Sequence, residues 1–207
     1  MGTGVFVFKG LRDMGNERRR CSWVNPNDPI YVKYHDEEWG QPLHDDRALY
    51  ELFILETFQA GLSWATILHK RENFRRAYEG FIPARVAAFD AAKVEELMQD
   101  AGIIRNRRKI EAAITNARAT LALRDVDEAH SPDAAHLGAL VWSYRPDADP
   151  HPTCAVEVPT ALPESRALAA DLKARGFRFV GPTTMLALMA AIGIVNTDIV
   201  GTHRRPV

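Results

Sequence analysis

LMQDAGIIRNRRKIEAAI, residues 97–114, is the stretch on which the fold turns. Val94, Leu97, Met98 and Ala101 carry one helical apolar pattern, and Gly102 stops it. Ile103 and Ile104 leave room only for a tight turn before Ile110, Ala113 and Ile114 resume a helical period. The reading is helix, hairpin, helix. The second helix starts under Arg105, Arg107, Arg108 and Lys109. Free N–H groups and the positive end of the helix dipole also lie there, so the four cations oppose the dipole unless an anion joins them. Phosphate suits this arrangement. A solvated face would carry the same cations without a ligand.

Working outward, the pattern stays helical. Asp90 caps the first of these helices, and Asp45 or Asp46 caps an earlier one whose Leu49, Leu52, Phe53 and Glu56 share a face. Gly61 ends that helix, and Ser63 caps the next, with Ile67, Phe74 and Tyr78 on one side. Downstream, 105–123 is helix and a weaker helix covers about 133–143. Residues 146–162 hold four prolines and read as loop. Residues 163–175 form a helix stopped by Gly176, and 182–194 is apolar all round and therefore central. Prolines 26, 29 and 42 exclude a long helix from 21–44. No strand longer than about three or four residues is legible. The fold expected is all-α, of about seven to nine helices.

The chain has 207 residues, 46% hydrophobic and 26% charged, which is the balance of one globular domain. A net charge of −1 excludes a global basic coat, so any nucleic-acid contact must be local. Two cysteines exclude a disulfide scaffold and suit a reducing, cytoplasmic setting. The longest apolar run, Met185 to Val195, is too short to span a membrane. Residues 1–17 have no secretory pattern and read as a disordered leader.

Three further features bear on chemistry. Glu56 continues an apolar stripe, where a carboxylate needs either a buried partner or a ligand. Trp23, Tyr31, Tyr34, Trp39 and Trp64 exceed what a loop needs; they suit a minor core or a stacking box for a flat, polarisable ligand. Cys21 and His35, with Asp198, Thr202 and His203 near the other end, include metal-ligand types, though the spacing alone specifies no site.

The segments CSWVNPNDPIYVKYHDEEWG (21–40), LETFQAGLSWATILHKRENF (55–74), DAGIIRNRRKI (100–110), LKARGFRFVGPTT (172–184) and GIVN (193–196) together resemble the 3-methyladenine DNA glycosylase I family. The resemblance covers about residues 20–203. It implies a helix-hairpin-helix glycosylase fold, with residues 18–207 as one domain and the helix-hairpin-helix at about 90–123. It implies hydrolysis of the N-glycosidic bond of 3-methyladenine in alkylated double-stranded DNA, releasing the free base. It carries the base-reading glutamate onto Glu56, the pocket rings onto Trp23, Tyr31, Tyr34 and Trp64, and the backbone grip onto Gly102, Arg105, Arg107, Arg108 and Lys109. The chemistry needs no cofactor, and a monomer is expected. The resemblance carries the family's structural zinc onto Cys21, His35 and Asp198, with His203 standing in beside Thr202, which occupies the fourth ligand's place. Asp198 and Thr202 replace a His and a Cys of the family pattern, in VNTDIVGTH (195–203). Thr57 and Phe58 replace small residues and are expected to reshape the pocket floor. An aromatic pocket beside a basic hairpin would also serve a non-catalytic alkylated-DNA reader or a purine-binding protein.

Overall fold

Local capping sets most of the helix starts. The computed structural model describes residues 19–127, 136–202 and 205. The expected leader and His203 lie outside these. The Asp28 side chain accepts from the N–H groups of Ile30 and Tyr31 and starts α1 (Pro29–Lys33). A π-helical turn, Tyr34–Glu38, continues it. Asp45 caps α2 (Asp46–Gln59) through the Ala48 N–H, and Ser63 caps α3 (Trp64–His69) through that of Thr66. There follow α4 (Arg71–Ala77) and α5 (Pro83–Ala87). Asp90 caps α6 (Ala91–Gln99), and Asn106 accepts from the Lys109 N–H at the start of α7 (Arg107–Asp127). The remaining helices are α8 (His136–Trp142), α9 (Pro163–Ala174) and α10 (Pro182–Ala191). No strand occurs among the described residues, only one isolated bridge between Thr202 and Arg205. None of the described helices is long and apolar enough to cross a membrane.

Pro29, expected to exclude a long helix, starts a short one. It occupies the first turn of α1, where the missing N–H is no loss and the fixed φ is already helical. The helix expected from Ser63 onward divides at Lys70, whose φ/ψ of −96°/−1° ends α3.

Two helices form the centre. In α2, every residue from Leu49 to Phe58 is buried, so this helix is enclosed on all sides rather than along one stripe. In α10, Met185, Leu186, Leu188, Met189, Ala190 and Ala191 are buried, as the unbroken apolar composition requires. The rings of Phe58, Phe74, Tyr78 and Phe81 stack beside α2. Phe58 thereby belongs to the core, and Thr57 bonds back to the Phe53 carbonyl at 3.0 Å. The substitutions expected to reshape the pocket floor thus serve the core.

Candidate functional site

Glu56 sits near the end of α2 and is 3% exposed. Its Oε2 has no hydrogen-bond partner. Burial pushes the carboxyl up to about 8, because no neighbouring cation offsets the lost hydration. Of the other buried polar atoms in the same position, two lie on neighbouring rings: the Tyr34 hydroxyl, on the π-helical turn and in the field of Glu56, and the Nε1 of Trp64, at the start of α3 and packed on Tyr34. A buried polar atom without a partner is costly, and three atoms from three separate elements make a cluster rather than an accident. Burial and then the charge of Glu56 raise the hydroxyls of both Tyr31 and Tyr34, which places both tyrosines within its field.

The rings form a continuous wall. Trp23 meets Tyr31 at 5.4 Å and Trp39 at 5.0 Å between centroids. Tyr34 meets Trp39 at 6.3 Å and Trp64 at 5.3 Å. All four sequence-predicted rings are therefore brought together. Trp39, noticed in the sequence but not assigned to the site, joins Trp23 to Tyr34. The clue was its place in the same aromatic stretch. Such a wall can sandwich a flat ring, favour a cation over its face, and offer a donor and an acid to its edge.

The basic hairpin is placed unevenly. A Cβ on Gly102 would lie 2.9 Å from Asp100 Oδ1 and 3.2 Å from Asn73 Cβ, so a side chain there would displace the Asp100 carboxylate and crowd Asn73. Its N–H donates to Asp100 Oδ1 at 2.7 Å, and its carbonyl accepts from Lys70 Nζ and Asn73 Nδ2 at 3.2 Å each. That backbone is already engaged internally. Arg107 pairs with Glu95 at 2.8 Å, while Arg105 and Arg108 are exposed. Lys109 turns inward and bonds to carbonyls at the end of α2.

A second hairpin joins α9 to α10, and the sequence reading passed over it. Asn116, fully buried on α7, clamps it: its Oδ1 accepts from the Arg178 N–H at 2.7 Å and its Nδ2 donates to the Arg178 carbonyl at 3.1 Å. Phe179 is held at φ 59°, a left-handed conformation that a bulky residue resists. Arg178 and Phe179 consequently face solvent. The next helix, α10, starts at Pro182 with no side-chain cap and no acid in its first turn. The signal in GFRFVGPTT was the same as in the first hairpin: a glycine, a cation and a helix start.

Of the metal-ligand types, the structure brings Cys21 and Asp198 together, and His203 lies outside the described residues. The Cys21 thiol donates to Asp198 Oδ1 at 3.3 Å, joining the two ends of the chain. His35 is buried, and its Nδ1 lies 2.9 Å from Asp36, whose carboxyl the Arg20 guanidinium holds well below the usual range. Thr202 Oγ1 is buried without a partner. A neutral hydroxyl is a poor zinc ligand, and among the described residues no group of three or more His, Cys, Asp or Glu side chains is placed to hold a metal. These described donors do not fit a tetrahedral zinc.

Residues 23–205 match the model of a family described as methyladenine glycosylase. The chain is 46% identical over 185 residues to DNA-3-methyladenine glycosylase 1 of Escherichia coli K12, covering 88% of this chain and 94% of that one. A crystal structure of 3-methyladenine DNA glycosylase I superimposes with a TM-score of 0.83 at 45% identity, covering 91% of this chain and all of the other. The 3-methyladenine DNA glycosylase I of Staphylococcus aureus, solved to explain its 3-methyladenine recognition, matches at TM-score 0.77 and 34% identity, over 87% of this chain and 94% of that one.

Proposed function

The chain belongs to the methyladenine glycosylase family, and on that premise we propose that it excises 3-methyladenine from alkylated DNA as the first step of base repair. The observation that supports the site most directly is the cluster of three unpartnered buried atoms, Glu56 Oε2, Tyr34 OH and Trp64 Nε1, inside an aromatic wall.

The target base has to leave the helical stack before these groups can reach it. Methylation at N3 makes the base of the nucleoside cationic. The ring faces of Trp23, Tyr34, Trp39 and Trp64 favour that cation over neutral adenine. Burial pushes the Glu56 carboxyl up to about 8, which favours its protonated form at neutral pH when no cation is beside it. An entering positive charge favours the carboxylate, so the proton leaves and an ion pair forms around the base edge. Trp64 and Tyr34 supply donors to the same edge.

The bond that breaks joins C1′ of the sugar to N9. Its electron pair goes to the base, which departs neutral, so no acid has to protonate it. Water adds through oxygen to the oxocarbenium-like C1′ and releases its second proton to solvent. The products are free base and an abasic site. Loss of charge on the base removes its advantage in the pocket, which aids departure. This chemistry requires no cofactor.

The duplex backbone is held at both hairpins in this reading, by Arg105 and Arg108 on the first and by Arg178 with the uncapped start of α10 on the second. Residues 18–207 act as one domain. The work is done by a monomer in the cytoplasm, where Cys21 and Cys154, neither of them in a disulfide, stay reduced.

Base release from methylated duplex, by wild type beside Glu56→Gln, tests this. Wild type is expected to liberate 3-methyladenine, and the variant at least about tenfold more slowly, the effect of one mismatched buried contact of roughly 1–3 kcal/mol. A wild type that binds methylated duplex and liberates no base is a reader, not an enzyme.

A further inference from the structure

Lys109 is the cation of the first hairpin that the fold turns away from solvent. It is 6% exposed. Its Nζ donates to the carbonyls of Phe58 at 2.8 Å and Ala60 at 2.6 Å. Burial pushes the ammonium down from the ordinary lysine range. A lysine is rarely buried to this degree without an acid beside it. Here its recorded partners are two neutral oxygens at the negative end of α2, where a cation is stabilised by the helix dipole.

Ending α2 does not need this cation. Gly61, at φ 81°, turns the chain, and the Leu62 N–H closes on the Gln59 carbonyl at 2.6 Å. The lysine therefore adds something beyond a helix stop. Ala60 lies one turn after Glu56 on the same strip of backbone. Residues 60–63 then lead directly to Trp64. One ammonium from the start of α7 thus holds the segment between the two polar groups of the pocket, and it comes from the hairpin whose exposed arginines face the duplex.

We propose that Lys109 is a positioning residue for base excision: seated on the Phe58 and Ala60 carbonyls, it fixes the 60–63 turn so that Glu56 and Trp64 address the same base. It joins the first hairpin to the pocket. The proposal rests on the pocket reading given above.

The test uses the full chain with Lys109→Met, which keeps the stem and removes the charge, and Lys109→Gln, which keeps one donor. Four quantities are read: melting temperature, affinity for free 3-methyladenine by tryptophan fluorescence, single-turnover base release at saturating methylated duplex, and the salt dependence of duplex binding. In folded Lys109→Met, base affinity and release both fall at least about tenfold, as expected for lost charge-assisted hydrogen bonds. Lys109→Gln recovers part of both. Duplex affinity and its salt slope stay at the wild-type values. A salt slope flattened by about one unit with base affinity intact makes Lys109 a phosphate contact and overturns the proposal. Lower melting temperature with wild-type release by the folded fraction, or failure of both variants to fold, makes it a structural residue and also overturns it. Glu56→Gln, run in parallel, separates the two readings. If Glu56→Gln cleaves like wild type, the pocket reading fails. If it is impaired while Lys109→Met is normal, only the role of Lys109 fails.

Discussion

Helix α2 buries two glutamates five residues apart, and their surroundings are opposite. Glu51 is met by Arg71 at 2.6 Å and Arg75 at 2.8 Å, and Arg71 continues to Glu38 at 2.6 Å. Burial opposes its charge, but the Arg75 and Arg71 hydrogen bonds outweigh that, so its carboxyl is held below the ordinary range. Glu56 has burial and nothing to offset it, and is pushed up to about 8. The same residue type on the same helix is a structural ion in one place and a stored demand for a ligand in the other. Burial alone therefore does not mark a site; burial without a partner does.

The strongest way to break this comparison is at Glu51. In Glu51→Gln, Arg71 and Arg75 lose their shared anion while partly buried. The expected loss is about 3 kcal/mol, at the lower end for a broken buried pair because Arg75 is partly solvated. In a chain of this size that lowers Tm by roughly 6–12 °C, readable by calorimetry. Base release by the folded protein should be near wild type. A large loss of release at unchanged Tm would mean the two glutamates are not different in kind.

Glu56 should respond in the opposite direction. Its folded value of about 8 lies above the ordinary glutamate value of 4.5. Between those values the folded chain keeps a proton that the unfolded chain gives up. Stability from this group is therefore full below about pH 4.5, declines as pH rises, and is flat above about 8. Glu56→Gln removes that decline and should be more stable than wild type by about 1–3 kcal/mol at pH 8. Denaturant melts at pH 5 and pH 8 check this. In kinetics, kcat/KM of wild type should rise toward pH 8 as the free pocket ionises, and the variant should be flat. An equal pH slope in both proteins would assign the titration elsewhere.

Sequence made one half of this comparison visible. Glu56 stood out because Leu49, Leu52 and Phe53 set an apolar stripe that it continued. The same stripe leaves Glu51 on the polar side, yet α2 is buried from Leu49 to Phe58, and nothing local announces two arginines from α4 folding onto it. Caps at Asp45, Ser63 and Asp90 were legible because capping acts within three residues. Lys109 looked like its arginine neighbours, since only tertiary packing turns it inward. The short α1 was hidden by Pro29, which reads as a breaker unless Asp28 is recognised as its cap. The second hairpin had a readable signal, but its rigidity depends on Asn116, 62 residues away from Arg178.

A smaller effect is expected at the hairpins, where charges are exposed and weakly coupled. Arg108→Ala and Arg178→Ala should each flatten the log–log salt dependence of duplex binding by about one unit, with little change in the rate at saturating DNA. Arg107→Ala should do less, since its guanidinium is already paired with Glu95. Salt titrations by fluorescence anisotropy resolve such slopes. An effect of Arg107 larger than that of Arg178 would return the grip to the first hairpin alone.

The smallest effect expected is at the third buried carboxylate, Asp198, which sharpens the comparison. Glu51 is satisfied by cations and Glu56 awaits one; Asp198 accepts a thiol hydrogen bond from Cys21, 177 residues away in sequence. That bond can clasp the chain ends without a metal. The Thr202 Oγ1 is buried without a partner and is only a neutral hydroxyl, so the described residues fall short of four good zinc ligands. Wild type should carry less than about a tenth of an equivalent of zinc, and excess chelator should leave Tm within about 1 °C. Replacing Asp198→His together with Thr202→Cys supplies the missing nitrogen and sulfur, and that variant should take up about one zinc and lose stability in chelator. One zinc per wild-type chain by elemental analysis, with a chelator-sensitive melt, would reverse this assignment and place Asp198 with the ligands of a cation, as Glu51 is, rather than with a hydrogen-bonded clasp.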